Sequence, residues 1–600
     1  MYDIIRDSPF GQITRFLTKN KWLRYVEERE DFQNPYYIFN SLPEETEINS
    51  HAQDASSETK PEETPSFGSV AADSQHETSG FMHSTAQEDV EANGPGENPI
   101  ERVVTMQTLH EIEKRMSRSI RPTQTTDGTI LVDWYTTDDP DNPQNWSGFK
   151  KGFVAFQICI YSFAVYFGSS IYVGAVPEVT EKYDISIEVS SLALALYVFG
   201  YGIGPLIFSP LSEIAAVGRN PPYIITLFIY TVLWIPASVV NNFAGFVVLR
   251  FLTGFFGSPC LATGGASLSD IYPLIQVPYL LIIWGAATVF GPALAPVVSN
   301  LSAPVKGWHW VSWEMLWLSA PILLGFFFFL PETSSATILY YRAKRLRNIT
   351  GNLHYRSQVE IDQAKQHMTV KDIVYNAVIK PGEINILDPA VLFSTVYTSL
   401  VYAIFYSFFE SFPLVFSDIY GFKFNISGLP FLGVFPGLFV AAILCALVWH
   451  FQVVKPFRTK GFDAFGVPEN RLVPGLFACI WLPIGLFLFA WTARPSVHWM
   501  ASIVGLSLSI VGTFTIIVCM LQYLAFTYPK YSASLFAAND FSRSTLAAGA
   551  IMFSRPMFLN LGIHWGVSLL AFLDIVCCVL LYALWIFGPK LRSRSRFAQP

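Results

Sequence analysis

Residues 153–174 read FVAFQICIYSFAVYFGSSIYVG and contain no charged side chain. An α-helix rises about 1.5 Å per residue, so about 20 apolar residues are enough to cross a hydrocarbon core of about 30 Å. The run begins just after Lys150 and Lys151, and such cations favour a water-facing boundary. This stretch therefore predicts a membrane-spanning helix.

Similar apolar runs recur along the chain, with a polar, basic segment between two groups of six. The predicted spans lie near 153–174, 189–209, 221–240, 243–264, 279–300 and 310–330, then near 388–412, 429–450, 472–493, 499–521, 535–555 and 566–587. A composition of 52% hydrophobic and 14% charged residues agrees with a chain solvated mostly by lipid. We expect an all-α membrane protein with twelve transmembrane helices in two six-helix bundles, which can rock around a central site.

Changes in composition predict five regions. They are an N-terminal tail at 1–150, the first bundle at 151–332, a central loop at 333–386, the second bundle at 387–588 and a C-terminal tail at 589–600. The tail is expected to be largely disordered, since residues 41–100 are rich in polar residues and carry 13 acidic groups against one lysine. Within it, helical spacing at Met106–Pro122 predicts a short amphipathic helix, either on an anionic membrane surface or in solution.

Basic side chains are concentrated on one side of the predicted helices. Those of the central loop and of the eighth-to-ninth loop are Arg342, Lys344, Arg345, Arg347, Lys455, Arg458 and Lys460. The positive-inside rule therefore places both termini in the cytosol. Two Asn-x-Ser sequons, at Asn300 and Asn425, fall on the outer side and predict glycosylation.

Motifs of nucleotide-binding, metallopeptidase and serine hydrolase sites are missing from the chain, which argues against an enzyme. The seven cysteines lie in apolar stretches without CxxC or Cys/His spacing, so we expect no metal and no cofactor. Nothing indicates nucleic-acid binding. The glycine-rich run Gly200–Gly204 lies inside an apolar span, where small residues favour close helix packing over a phosphate site.

Ionisable side chains inside the spans are candidates for proton coupling, since each costs about 2.5–3.5 kcal/mol at the bilayer centre on insertion scales. Arg250 lies within the fourth span, Glu410 near the outer end of the seventh and Asp540 at the start of the eleventh. Glu314 and Asp574 are further proton-carrier candidates. The alternatives are snorkelling of Arg250 to an interface, an interfacial Glu410 without a role, and neutralisation of Asp540 by the arginine at i+3.

Polar and aromatic side chains within the spans predict a mixed, polyspecific substrate cavity. They are Gln157, Tyr161, Tyr166, Tyr402, Tyr406, Phe409 and Asn539. Aromatic rings offer stacking surface to flat apolar molecules, while plain helix packing is the alternative for any single ring. In the fifth span, Gly285, Gly291, Pro292 and Pro296 predict a helix that bends and packs closely.

Several segments together resemble one family, the twelve-span drug:proton antiporters of fungi within the major facilitator superfamily. The similarity is to the branch of the Candida multidrug-resistance facilitator linked to benomyl, methotrexate and fluconazole resistance. It includes Arg6–Gly11, Asp139–Trp146, the fourth span around Arg250, and the second-to-third loop signature with Gly204, Pro205, Ser209, Pro210, Glu213, Gly218 and Arg219.

This resemblance implies the major facilitator fold and proton-coupled efflux of azole-, benomyl- or cycloheximide-like drugs across the plasma membrane. It implies that Arg250 couples protons and that the fifth-span signature shapes the bend and limits proton leak. The expected partners are drug-like small molecules, protons and the lipid bilayer, and the protein is expected to be a monomer. The chain departs from the family pattern at Ala295 and at Met552–Met557, where Arg555 could alter the substrate range.

Two other functions fit the same sequence. One is a dedicated exporter of a physiological compound, such as a polyamine or a toxic secondary metabolite. The other is a membrane sensor that signals through the acidic tail.

Overall fold

The computed structural model describes residues 2–36, 119–120, 123–124, 128–366, 379–528 and 532–595. The predicted disordered segment at 41–100 and most of the predicted amphipathic helix at Met106–Pro122 lie outside these residues. The five region boundaries derived from composition stay predictions.

Eleven helical segments in the described part of the chain are long and apolar enough to cross a membrane. They are Gly148–Tyr183, Ile187–Glu213, Asn220–Val239, Phe243–Ile271, Val277–Lys306, Trp310–Phe329, Pro389–Ile419, Phe424–Lys460, Pro468–Thr492, Met500–Thr527 and Leu535–Arg594. The first ten coincide with the first ten predicted spans.

Several of these segments are made of successive helical pieces. The pieces are Gly148–Ser170, Ile171–Ala175 and Val176–Tyr183 in the first; Phe243–Gly257 and Pro259–Ile271 in the fourth; Pro389–Phe412 and Pro413–Ile419 in the seventh; Phe424–Ile426, Leu429–Gly433, Val434–Trp449, His450–Val454 and Lys455–Lys460 in the eighth; and Pro468–Leu472, Val473–Ala478 and Trp481–Thr492 in the ninth. Proline stands at the first or second position of many of them, where its missing N–H has no helical partner to lose.

The last segment contains two spans. As one helix its 60 residues would extend about 90 Å, three times the thickness of a hydrocarbon core. Gly562 interrupts the helix with φ of 77°, in the left-handed region that favours glycine. The predicted eleventh and twelfth spans therefore lie on either side of Gly562, and the total of twelve is confirmed.

The twelve spans form two halves of six. In the first half the second span packs on the fourth, the fifth on the first and the third on the sixth. In the second half the tenth span packs on the eighth and the ninth. The halves meet along two seams, second span against eleventh and fifth against eighth. We call the side on which the first span begins and the last one ends the terminal face.

Glycines let the helices inside each half approach closely. A Cβ atom on Gly254 of the fourth span would collide with the Tyr197 carbonyl of the second, and one on Gly437 of the eighth with the Ser507 carbonyl of the tenth. Small residues are typical of helix contacts in membranes, because they bring the backbones together where the hydrophobic effect offers no driving force.

Both ends of the N-terminal tail are ordered on the terminal face, at residues 2–36 and 128–147, outside the segment 41–100 on which the prediction of disorder rests. The elements of this layer are the helices Tyr2–Asp7, Pro9–Leu17, Val26–Glu28, Pro143–Asn145, Ser335–Thr350, Gln358–Gln366 and Lys380–Leu387, and the strands Thr123–Gln124 (β1), Ile130–Val132 (β2) and Tyr355–Ser357 (β3). Strand β2 pairs antiparallel with β1 and parallel with β3. A small core includes Tyr36, Val132 and Leu346.

Buried ion pairs hold the ordered parts of the N-terminal tail in place. Arg342 lies 3.0 Å from Glu27, 2.7 Å from Asp139 and 2.9 Å from Asp141, a set that we call the Arg342 cradle. Arg6 lies 2.7 Å from Asp141. This contact joins two of the segments that carry the family resemblance, Arg6–Gly11 and Asp139–Trp146.

Packing around Gly254 gives a first prediction. Gly254→Leu should reduce the yield of monodisperse protein severalfold, because overpacking of a close helix contact is destabilising by about 1–3 kcal/mol or more. Gly325→Leu on the sixth span is the control, since nothing lies within 4 Å of an added Cβ there. Fluorescence-detected size exclusion after heating measures both variants, and equal profiles would contradict the packing assignment.

The Arg342 cradle gives a second prediction. Burial opposes ionisation of Asp141, but Arg6 and Arg342 outweigh it and lower the pKa of Asp141 below its usual value. The stabilisation is therefore complete above an unfolded pKa of about 3.9 and is lost as pH falls through the lower folded pKa. We expect residues 2–36 to become sensitive to pepsin in strong acid.

Asp141→Asn should expose the same segment at neutral pH, since breaking a buried pair costs about 3–5 kcal/mol. Its protease sensitivity should also depend less on pH than that of the parent. Asp31→Asn, at an exposed position, is the matched control. Equal protection of residues 2–36 in both variants would refute this role of the cradle.

Candidate functional site between the two halves

Four tyrosines, Tyr166, Tyr201, Tyr402 and Tyr406, meet where the first and second spans face the seventh. We call them the tyrosine cluster, and all four are buried. The Tyr201 hydroxyl is hydrogen-bonded to those of Tyr402, at 2.6 Å, and Tyr406, at 2.9 Å. The Tyr166 ring lies edge-on to Tyr201 at 5.5 Å. Neutral hydroxyl groups thus join the two halves at the centre of the molecule.

The eleventh span adds an ion pair to this cluster. Arg543 pairs with Asp540, three residues before it, at 2.6 Å. Arg543 also donates to the Tyr166 hydroxyl at 3.0 Å and lies 4.9 Å from the centre of the Tyr402 ring. The second oxygen of Asp540, Oδ2, is buried and accepts no hydrogen bond from the described residues. A donor group or a proton could occupy that position.

Arg250 is held inside the first half. Its Nη1 and Nη2 atoms donate at 2.8 Å to the carbonyls of Gly168 and Ser169, and Nε donates at 3.3 Å to that of Ala193. Gly168 and Ser169 end the helix Gly148–Ser170, where carbonyls lack helical partners and the dipole favours a cation. With 1% exposure Arg250 does not snorkel, and no described carboxylate lies within ion-pair distance.

Contacts made through Ser169 connect Arg250 to the tyrosine cluster. The Ser169 residue whose carbonyl binds Arg250 also places its hydroxyl 3.1 Å from that of Tyr406. Tyr406 then contacts Tyr201, and the cluster reaches Arg543 through Tyr166. We call this path, from Arg250 through Ser169 and the tyrosine cluster to Asp540 and Arg543, the relay.

Glu410 lies toward the face opposite the terminal face, between the seventh and second spans. It is buried and accepts a hydrogen bond from Ser191 at 2.9 Å. Beside it, Arg555 of the eleventh span lies 3.7 Å from Glu188 of the second. These groups close the seam on this side. Arg555, the departure from the family pattern, therefore lies at a contact between the halves.

The fifth span is one continuous helix, Val277–Lys306, through its internal prolines. An added Cβ on Gly291 would lie 2.7 Å from the Phe163 carbonyl, and the Pro292 carbonyl accepts from Ser170 at 2.9 Å. The remaining signature residues face the second half: Gly285 faces the Phe514 ring, and the Pro296 carbonyl abuts Gly428. These residues thus lie against neighbouring helices, while the bend of the fifth helix stays a prediction.

The second-to-third loop signature lies on the terminal face and joins three spans of the first half. Arg219 donates to Asp270 of the fourth span at 2.9 Å, and Glu332, just after the sixth span, accepts from the backbone N–H of Arg219 at 3.1 Å. Gly218 has φ of 80° and faces Glu332. The helical residues of this signature lie in the second span, namely Gly204, Pro205, Ser209, Pro210 and Glu213. Gly204 packs against Ser258, as predicted for this glycine-rich run.

Four residues predicted for the substrate cavity contact neighbours in their own half, and one of them, Phe409, also lies 5.4 Å from the Tyr406 ring. Gln157 donates to the Phe329 carbonyl at 3.4 Å and Tyr161 packs on Phe326, both inside the first half. Inside the second half, Phe409 stacks on Phe431 at 5.0 Å and Asn539 donates to Thr398 at 2.8 Å. In this arrangement each has a neighbour in its own half, and their assignment to a substrate cavity stays a prediction.

The sequon at Asn300 also lies in a place that the sequence did not predict. Asn300 lies inside the fifth helix, is 4% exposed and donates to Ser427 at 3.2 Å, so its prediction as a glycosylation site is wrong in this arrangement. Asn425 is exposed and stays a prediction. Glu314 is half-buried on the sixth span, and Asp574 is buried within the second half beside Cys578.

Sequence reasoning missed Tyr201 and Ser169. The sequence signal that could have identified Tyr201 is its position between two glycines in an apolar span. Gly200 packs on the Phe251 carbonyl and Gly202 on Ser544 of the eleventh span, so the backbone reaches the seam and Tyr201 bridges it.

Comparisons with known proteins agree with this architecture. A family model described as Major Facilitator Superfamily matches residues 158–552. The chain is 47% identical over 477 residues to the MFS-type transporter pyvG of Aspergillus violaceofuscus, which covers 80% of this chain and 87% of that protein. It is 38% identical to fluconazole resistance protein 1 of Saccharomyces cerevisiae, covering 78% of this chain and 85% of that one. It is 36% identical to the cycloheximide resistance protein of Candida maltosa, covering 78% and 86%.

Among solved structures, the proton:xylose symporter XylE aligns with a TM-score of 0.51 at 12% identity, covering 73% of this chain and 97% of that one, which supports the fold alone. The fold expected from the resemblance is confirmed. The protein is a multi-pass membrane transporter of small molecules and not an enzyme. Its family match covers more than half of its length, and the chain belongs to the Major Facilitator Superfamily.

Proposed function

We propose that the protein exports amphipathic, drug-like organic molecules across the plasma membrane in exchange for protons. The observation that carries this proposal is the relay, because it links a buried arginine of one half to an acid–arginine pair of the other through side chains at the seam. The names of two relatives, which refer to fluconazole and cycloheximide resistance, support the substrate class.

The tyrosine cluster is the proposed substrate site. A flat molecule that enters between the halves must separate Tyr201 from Tyr402 and Tyr406, and the aromatic faces then offer it stacking surface. Loss of the Tyr406 contact leaves the Ser169 hydroxyl bonded to the Tyr166 carbonyl alone, and this hydroxyl belongs to the residue whose carbonyl holds Arg250. Substrate binding thereby changes the surroundings of Arg250 without touching it.

Two carboxylates are the proposed proton carriers, Asp540 and Glu410. Asp540 keeps one oxygen without a hydrogen-bond donor among the described residues, so a proton there would compete with Arg543 for the carboxylate. Glu410 has a hydroxyl neighbour and no described cation within ion-pair distance, although Arg555 lies nearby. A charge moving to either group would act on the seam, since both acids lie beside it.

The proposed topology has the terminal face in the cytosol, as the basic loops favour. Glu410, Arg555 and the exposed Asn425 then lie toward the outside, which makes Asn425 the proposed glycosylation site. The arrangement described here, with the seam closed around the tyrosine cluster, is an intermediate that must open toward the cytosol to load substrate and outward to release it.

Purified protein in liposomes tests the proposed exchange directly. An imposed proton gradient should drive uptake of a fluorescent amphipathic dye into inside-acidic vesicles in the absence of ATP, and a protonophore should abolish it. Gradient-independent dye movement through the protein would refute proton coupling, and no movement of several dyes would refute drug-like substrates.

Arg250→Ala should lower gradient-driven dye transport about tenfold or more, since three hydrogen bonds from a charged group are lost at about 1.5–3 kcal/mol each. Arg250→Lys should restore only part of it, because an ammonium group lacks the planar fork that reaches two carbonyls. Arg494→Ala, at an exposed loop position, is the control for the loss of a cation. Normal transport by Arg250→Ala in correctly assembled protein would exclude the coupling role.

Tyr201→Phe keeps the ring and removes the hydroxyl that joins the halves. It should lower the melting temperature by a few degrees, because two buried hydroxyls lose a partner at about 1 kcal/mol each, and should lower transport severalfold. Tyr183→Phe is the matched control, since the Tyr183 hydroxyl has no hydrogen-bond partner among the described residues. Equal melting and transport in the two variants would mean that the relay does not matter.

A further inference from the structure

The helix Pro9–Leu17 is docked on the terminal face with its polar side inward. Arg15 is 5% exposed and lies 2.6 Å from Glu28, and it also donates to the Leu23 carbonyl. Gly11 lies directly against the backbone of Ile5 and Arg6. The inner side of this helix is therefore made of an ion pair and a glycine.

The outward side is apolar. The exposed fractions are 49% for Ile13, 83% for Phe16, 74% for Leu17 and 69% for Trp22, in the turn that follows the helix. A helix on a water-facing surface normally shows the reverse pattern, with its apolar stripe buried. We call these four residues the apolar patch. Its exposure requires a medium other than water.

The position of the helix identifies that medium. Phe10 contacts Phe327 at 6.1 Å and Phe328 at 5.0 Å between ring centres, and these two residues lie at the end of the sixth span Trp310–Phe329. The end of a span marks the boundary of the hydrocarbon layer, so the helix lies at the depth of the lipid head groups. Leu324 of the same span is 58% exposed, and the patch continues that lipid-facing surface.

Charge around the patch agrees with a lipid surface. Lys19 and Lys21 are exposed in the turn that carries Trp22, and Lys19 has φ of 51°, in the left-handed region. Cations beside aromatic and aliphatic side chains are the composition that binds the interface of an anionic bilayer, and tryptophan is enriched at that depth.

We propose that the helix Pro9–Leu17 and the following turn form a membrane-interface anchor, in which the apolar patch enters the head-group layer and Lys19 and Lys21 bind anionic phospholipid. The proposal is independent of the transported substrate. The polar side of the anchor joins Arg15 to Glu28, next to Glu27 of the Arg342 cradle, so the bilayer is linked to the helix Ser335–Thr350 that follows the sixth span.

Photo-crosslinking in the full-length protein tests the anchor. A benzophenone amino acid replaces Phe16, and the protein is placed in nanodiscs of phosphatidylcholine alone or of an equal mixture with phosphatidylserine. Mass spectrometry should find phospholipid adducts at position 16. The same amino acid at Gln33, an exposed polar position of the same tail, is the control and should give none.

Adducts at position 16 no more frequent than at Gln33, or adducts to protein alone, would overturn the anchor. The lysines are tested separately: Lys19→Gln with Lys21→Gln should lower the yield of phosphatidylserine adducts by roughly fivefold per lysine and leave those of phosphatidylcholine unchanged. An unchanged phosphatidylserine yield would overturn the anionic part of the proposal. A melting temperature equal to that of the parent shows that the variant is folded.

Discussion

A permanent charge buried in the membrane interior needs partners, and Arg250 meets this need with backbone carbonyls instead of an acid. Transfer of an isolated charge into such a medium is prohibitive, so its position restricts everything packed around it. The first helix ends where its last carbonyls can receive the guanidinium, the second span supplies the Ala193 carbonyl, and Tyr197 covers the planar face at 4.5 Å. Arg250 thus fixes three spans of the first half relative to one another.

A second buried arginine, Arg342, is held in the opposite way. Its partners are the carboxylates of Glu27, Asp139 and Asp141, whereas those of Arg250 are backbone carbonyls. The layer on the terminal face is therefore sensitive to acid through Asp141, whose pKa the two arginines lower, while carbonyl partners have no acidic proton to gain or lose. The same side-chain type gives a rigid element inside the membrane and a releasable one outside it.

The sequence predicted the features that depend on length and composition. It did not predict the features that depend on the direction in which a side chain points. Twenty-residue apolar runs located the spans, because the bilayer allows few other structures. The sequence could not show which way each side chain points. Tyr161 lies about 140° around the helix from Tyr166, so only one of them faces the seam. Asn300 was placed at the outer end of the fifth span because composition does not show that this helix continues to Lys306. Residues 2–36 fold through ion pairs with partners more than 100 positions away, which no local pattern reveals.

The strong polar contacts lie within each half, and the contacts between the halves are weaker. In the described residues, Arg250 is bonded within the first half and Asp540 with Arg543 within the second, and the one ion pair that crosses the seam, Arg555 with Glu188, is 3.7 Å long. The hydroxyl pairs across the centre are each worth about 0.5–1.5 kcal/mol, and the bond from Arg543 to the Tyr166 hydroxyl about 1.5–3 kcal/mol, whereas breaking a buried ion pair costs about 3–5 kcal/mol. Two halves that must separate in every cycle can exchange hydroxyl contacts for contacts with a substrate, since the energies are similar. A seam held by buried ion pairs would need a far larger compensation, and this difference is the physical reason for a tyrosine cluster at the site where the halves meet.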